Sequence, residues 1–173
     1  MKIDLGGGLN PKPGFVNVDR IESADVVCDI SKSLPFDDDS VSSVYSSHCL
    51  EHLVRVDAVI KEIARVCRIG ADVEFRLPHW LHETAMSPGH RNTLSEKFWS
   101  RVGDPHRHSK FFGKSTKGMR LVKVRHIPDK HNIKKAKLLF PTANDDLIMS
   151  FVPNCCCESR FCFTVEKRHV EKH

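Results

Sequence analysis

Apolar positions in the first fifty residues fall in short clusters divided by turn-forming residues. Lys2–Leu5 alternates and runs into Gly6-Gly7-Gly8, as a buried strand entering a tight turn would. Phe15–Val18 predicts a second strand ending at Asp19, Asp25–Cys28 a third ending at Asp29, and Val41–Ser46 a fourth. Segments this short suit interior strands of a parallel sheet. Between the third and fourth, Leu34–Ser40 reads as an acidic, turn-rich loop. The period changes at Arg55, where Val56, Val59, Ile60, Ile63, Val66 and Cys67 recur at helical spacing. A helix to about Arg68 follows, with Gly70 as its stop. Ala71–Leu77 alternates again as a fifth strand closed by Pro78, and Ser95 is placed to cap a short helix through Val102. Met119–Ile127 and Arg160–Lys167 predict a terminal antiparallel hairpin. The fold class expected is α/β, with a mostly parallel central sheet, an antiparallel C-terminal strand and helices on both faces.

Composition narrows the class. A chain of 173 residues, 40% hydrophobic and 28% charged, can bury a core without disulfides. No apolar run approaches the length of a spanning helix, and the first residues enter a strand directly rather than a signal peptide. A cytoplasmic protein with no membrane partner is expected. The net charge of +5 is uneven, because residues 107–137 carry eleven basic residues against one acid. That segment suits an anionic partner such as nucleic acid, through Lys110, Lys114, Lys117, Arg120, Lys123, Arg125, Lys130, Lys134, Lys135 and Lys137; it also fits a solvated basic loop. Seven cysteines lack paired C-x-x-C spacing. The role of Cys155-Cys156-Cys157 stays open, structural zinc calling for the paired spacing that is missing.

Candidate chemistry sits at the strand ends. A glycine turn, Asp19, Asp29 and the polar stretch from Ser46 close successive strands, and in an open parallel sheet such termini converge on one crevice. Glycine allows close approach of a ligand to the backbone, and a carboxylate ending the second strand can accept both ribose hydroxyls. Pro11 stands where a dinucleotide fingerprint needs its third glycine, and no P-loop lysine follows. The pocket therefore fits a nucleoside without a pyrophosphate.

On these residues the chain resembles the class I S-adenosylmethionine-dependent methyltransferases, in particular the small methyltransferase type 11-like branch. The resemblance is carried by Asp4-Leu5-Gly6-Gly7-Gly8, Gly14-Phe15-Val16-Asn17-Val18-Asp19, Cys28-Asp29-Ile30 with Leu34–Ser40, Ser46–Leu53, and Ala64–Ala71. It implies a Rossmann-like methyltransferase fold over residues 1–173, with a cofactor half to about 78, a substrate-side insertion and basic segment over about 79–140, and a terminal strand region beyond. It implies S-adenosylmethionine as cofactor, held by Asp4, Gly6, Gly8, Asp19, Asp29, Ile30, Ser46 and Ser47. The first crossover, Gly6 to Phe15, is too short and too proline-rich for a long helix.

Methyl transfer from a sulfonium is a direct displacement, in which the protein aligns the nucleophile and a nearby base can take its proton. His48 and His79, just past the fourth and fifth strands, are the catalytic candidates, and His79, Trp80, His82 and His90 the substrate-binding ones. The acceptor expected is a small molecule or glycan, since no Asn-Pro-Pro-Tyr, Asp-Pro-Pro-Tyr or Pro-Cys signature is present. A non-catalytic cofactor- or nucleic-acid-binding module of the same fold is the alternative. A metal-dependent hydrolase using His82, Glu83, His90 and His106 or His108 lacks H-E-x-x-H spacing, so no metal is assigned.

Overall fold

A computed structural model describes residues 1–107, 111–112 and 117–167. Seven strands form one sheet: β1 (Lys2–Leu5), β2 (Val16–Asp19), β3 (Val26–Val27), β4 (Val41–Ser47), β5 (Cys67–Pro78), β6 (Lys117–Pro128) and β7 (Cys156–Lys167). Their order is β3-β2-β1-β4-β5-β7-β6. The first five pair in parallel, and β7 runs antiparallel between β5 and β6. The β6–β7 pairing agrees with the expected hairpin. It is not a tight one, because α3 (Lys130–Ala136) and α4 (Asp145–Phe151), which the apolar pattern did not indicate, occupy the connection.

Register divides the sheet into two faces. Ile3, Val44, Val73 and Phe163 lie in one row, with Ser46, Phe75 and Phe161 in the next. Ser46 is a buried polar residue, and the others share the main core with Val59, Ile60 and Ile63 of α1 (Val56–Val66). From α2 (Glu96–Val102), fully buried Trp99 packs on Phe75, Phe161 and Phe163 at centroid distances of 4.9, 5.5 and 5.8 Å. The opposite row, Asn17, Asp4, Tyr45, Glu74 and Cys162, is polar. Alternation in β5 and β7 thus reflects a sheet with one apolar and one polar face.

No helix forms between Leu5 and Val16, where Pro11 and Pro13 stand. Gly70 is not the stop of α1. The helix ends at Val66 with Cys67 already extended, and Arg68, Ile69 and Gly70 are exposed within β5 at a register shift, Gly70 taking φ 82°. Burial of Cys67 and Ala71 on either side drives out the three residues between them. Leu34–Ser40 is fixed by Arg65, whose guanidinium donates to the Phe36 and Leu34 carbonyls and pairs with Asp38 and Glu62. Ile133, Ala136, Ile148, Met149, Cys155 and Cys156 form a second, smaller core under α3 and α4.

Candidate functional site

The C-terminal ends of β1, β2, β3 and β4 border a cleft of about 580 Å³, within the usual range of a small-ligand site. Gly6, Asp19, Asp29, Ile30, His48 and Cys49 are among its walls. Gly6 has φ 74°, and a β-carbon there would come 2.3 Å from Cys49 Sγ, so only glycine lets the turn pass beneath the residue that follows β4. Asp19 organises the turn: Oδ2 accepts from the Gly8 N–H at 2.9 Å and Oδ1 from the Arg20 N–H at 2.6 Å. Asp29 accepts from the Ser31 hydroxyl and N–H, which hold its carboxyl below the ordinary range.

Not every expected cofactor residue reaches this wall. Gly8 contributes its N–H to Asp19 and has φ 55°. Asp4 is buried beneath the glycine turn, where Oδ2 accepts from the Lys12 N–H at 2.8 Å, Oδ1 has no hydrogen-bond partner among the described residues and burial raises its pKa. Ser46 is buried, donating to the Leu5 carbonyl at 2.8 Å, and Ser47 closes β4 in register with Arg76. The sequence reading missed Arg20, His52 and Arg91, which also line the cleft. Arg20 lies next to Asp19 and was legible as a strand-end cation; Arg91 arrives from the segment between β5 and α2.

His48 stands between this cleft and a second cavity of about 420 Å³, lined also by Pro78, His82, His90 and Glu158. Its backbone has φ 50°, an uncommon conformation outside glycine, and is tied by its N–H to the Arg76 carbonyl. The ring is held on both sides: Nε2 lies 3.2 Å from Glu158 Oε2 and Nδ1 3.5 Å from Glu51 Oε1. The two carboxylates raise its pKa to about 9, and His48 with Arg160 holds Glu158 down at about 2. Glu158 comes from β7, 110 residues along the chain, with no local signal to join it to His48.

Of the four substrate candidates, His82 and His90 line the second cavity. His79 and Trp80 line neither. They stack at 3.9 Å, and both meet the His126 ring edge-on. His79 is buried and its Nδ1 accepts from the Leu81 N–H at 3.2 Å; burial, with His126 and His82 nearby, pushes its pKa down to about 4. His82 turns its Nδ1 to Thr84 Oγ1, 2.8 Å away, and does not cluster with Glu83 and His90 as metal ligands among the described residues.

The basic segment is divided among several settings. Lys117 Nζ pairs with Asp39 and donates to the Arg65 and Cys67 carbonyls, Arg120 pairs with Glu166, and Lys137 pairs with Asp145. Lys123 and Arg125 are exposed on β6, while Lys130, Lys134 and Lys135 belong to α3. His108, Lys110 and Lys114 lie outside the described residues. No helix among the described residues is long and apolar enough to cross a membrane. All seven cysteines are free thiols.

Residues 8–74 match a family model described as a methyltransferase domain. No protein of curated function matches the chain by sequence. Solved structures with a similar fold include an S-adenosylmethionine-dependent methyltransferase from Archaeoglobus fulgidus, with TM-score 0.60, 12% identity, and coverage of 94% of this chain and 85% of that one. Another, from Mesorhizobium loti, gives TM-score 0.54 at 14% identity over 94% of this chain and 90% of that one. The [4+2]-cyclase SpnF gives TM-score 0.56 at 10% identity over 97% of this chain and 74% of its own. At these identities the likeness is one of fold.

Proposed function

For a chain of the class I methyltransferase fold, in the type 11 branch, we propose the activity of an S-adenosylmethionine-dependent methyltransferase acting on a small-molecule acceptor. The observation that carries this reading is the pair of cavities meeting at His48, one at the ends of β1 to β4 and the other against Pro78 and Glu158. A donor in the first and an acceptor in the second would face each other across one side chain.

The cleft suits the donor chemically. Asp19 at the end of β2 would take the ribose hydroxyls, Asp29 and Ile30 would lie by the adenine, and the Gly6–Gly8 turn would pass under the amino-acid end. Arg20 and Arg91 bring cations to the same wall, matching a ligand that carries a carboxylate as well as positive groups. Asp4 would act from below, fixing the turn through the Lys12 N–H, and Ser46 would hold β4 to β1. When bound, S-adenosylmethionine supplies an electrophilic methyl group on sulfur.

The chain's own residues would then align the acceptor and exclude water. Of the two expected catalytic histidines, His48 borders both cavities, and its ring nitrogens are engaged by Glu51 and Glu158. It would orient the acceptor rather than remove a proton, which favours an attacking atom that already has a free lone pair. His82 and His90 would contact the acceptor, and the His79–Trp80 stack would support that wall from behind. Calorimetry with S-adenosylmethionine and its demethylated product tests the donor site: micromolar binding is expected, at least tenfold weaker in Asp19→Ala. Absence of binding to either ligand removes the proposal. Transfer of a labelled methyl group to a fraction of a cell extract then separates an active enzyme from an inactive module.

A further inference from the structure

A cluster outside the donor reading lies in the wall between the two cavities. Glu51, His52 and His90 each bring one potential ligand atom within 4.8 Å of the others. Glu51 is only 2% exposed, and neither of its carboxylate oxygens has a hydrogen-bond partner among the described residues. Its charged neighbour among the described residues, His48 Nδ1, stands 3.5 Å from Oε1. A buried carboxylate left without hydrogen bonds is costly, so Glu51 has acceptor capacity that the described residues do not meet.

The two histidines are set for metal ligation. His52 Nδ1 faces the Gly89 carbonyl at 3.3 Å, and His90 Nδ1 faces the Ala85 carbonyl at 3.4 Å. A carbonyl accepts only, so each Nδ1 is the donor in these contacts, which in the neutral ring places the lone pair on Nε2. This carbonyl-held tautomer is the usual arrangement behind ligating histidines. The rings meet edge-on at 4.7 Å. A void of about 10 Å³, close to the size of one ion or water, adjoins Glu51 and His90. The backbone holds the parts together, since the Glu51 carbonyl accepts from the Arg91 and Asn92 N–H groups at 2.7 and 3.1 Å.

The other cluster of this kind among the described residues, His79, His126 and Cys156, has the opposite chemistry. His79 Nδ1 accepts from the Leu81 N–H, which puts the ring proton on Nε2 and removes the free lone pair there.

We propose that Glu51, His52 and His90 bind a divalent first-row transition ion, zinc or iron(II) in character. Two imidazoles and one carboxylate with positions left open are a ligand set for such ions. The ion would clamp the turn after β4 to the insertion bearing His90 and so fix the wall shared by the two cavities.

The test uses untagged full-length protein, stripped with chelator and titrated with Co(II), read by visible d–d absorption and reversed by competing Zn(II). One equivalent is expected in the wild type. His52→Gln and His90→Gln should each weaken binding at least tenfold, while His82→Gln, a nearby histidine outside the set, should bind as the wild type. Circular dichroism keeps the readout to folded variants, and Glu51→Gln, close in shape to the native side chain, gives an independent ligand substitution. Three results overturn the proposal: a folded wild type that takes up no equivalent, affinity unchanged in both His52→Gln and His90→Gln, or an intense near-ultraviolet thiolate-to-cobalt band assigning the ion to cysteines. None of these readouts depends on methyl-donor binding.

Discussion

A β-carbon at Gly6 would meet Cys49 Sγ at 2.3 Å on backbone of φ 74°. Gly6→Ala is therefore expected to cost about 1–2 kcal/mol from the left-handed backbone alone, with a further loss from the contact, measured by urea unfolding. Cys49→Ala removes the Sγ contact but keeps a β-carbon 2.7 Å away, so Gly6→Ala/Cys49→Ala should recover only a small part of the loss, whereas Cys49→Gly should recover more. His79 gives a pH signature. Folding holds its pKa near 4 against an ordinary 6.5, so the unfolded chain binds the extra proton between those values. Its contribution to stability is complete above about pH 6.5 and is lost as the pH falls towards 4. His79→Gln, which keeps an acceptor for the Leu81 N–H, should flatten the fall in denaturation midpoint across that window relative to wild type. Neither behaviour was legible locally: Gly6 could be read as a turn glycine, but its neighbour Cys49 lies 43 positions away.

At the scale of elements, α1 was readable because six apolar residues repeat on one face, and α2 because Ser95 offers its hydroxyl to the Phe98 N–H. Ser95→Ala should cost about 1 kcal/mol, seen as a lower melting temperature with unchanged helix content. The helices α3 and α4, like α2, have seven residues, too few for a period to declare itself, so only their caps could mark them. Their caps were in the sequence: Asp129 accepts from the His131 and Asn132 N–H groups, and Asn144 from the Leu147 N–H. The acidic loop Leu34–Ser40 gains its shape from outside itself. Arg65→Met would leave the Leu34 and Phe36 carbonyls and Glu62 without their charged donor, at about 2–3 kcal/mol, and limited proteolysis should then cut within 34–40.

At the scale of the whole molecule, a ligand that binds only the folded state raises stability by about 2.7 kcal/mol at a hundred times its dissociation constant. S-adenosylmethionine at that excess should raise the melting temperature of the wild type, and Asp19→Ala should lose about half of the rise or more at the same concentration. The parallel strands, their order of appearance and the strand-end residues of the cleft followed from short-range pattern, since a strand end, a glycine turn and the acid that closes the next strand are neighbours in sequence. Asp19, Asp29 and Ile30 needed only that local grammar. The basic segment did not stay whole, because Lys117 answers Asp39 and two carbonyls of the strand connection while Lys123 and Arg125 remain on the sheet edge. The antiparallel insertion of β7 between β5 and β6 brings Glu158 to His48, and folding of residues 79–94 over the turn after β4 brings His90 to Glu51 and His52. Local spacing determined the strands, α1, α2 and the acids that close the strands around the cleft. Only the tertiary structure decided which histidine stands between the cavities and which carboxylates hold it, because those contacts join segments far apart in sequence.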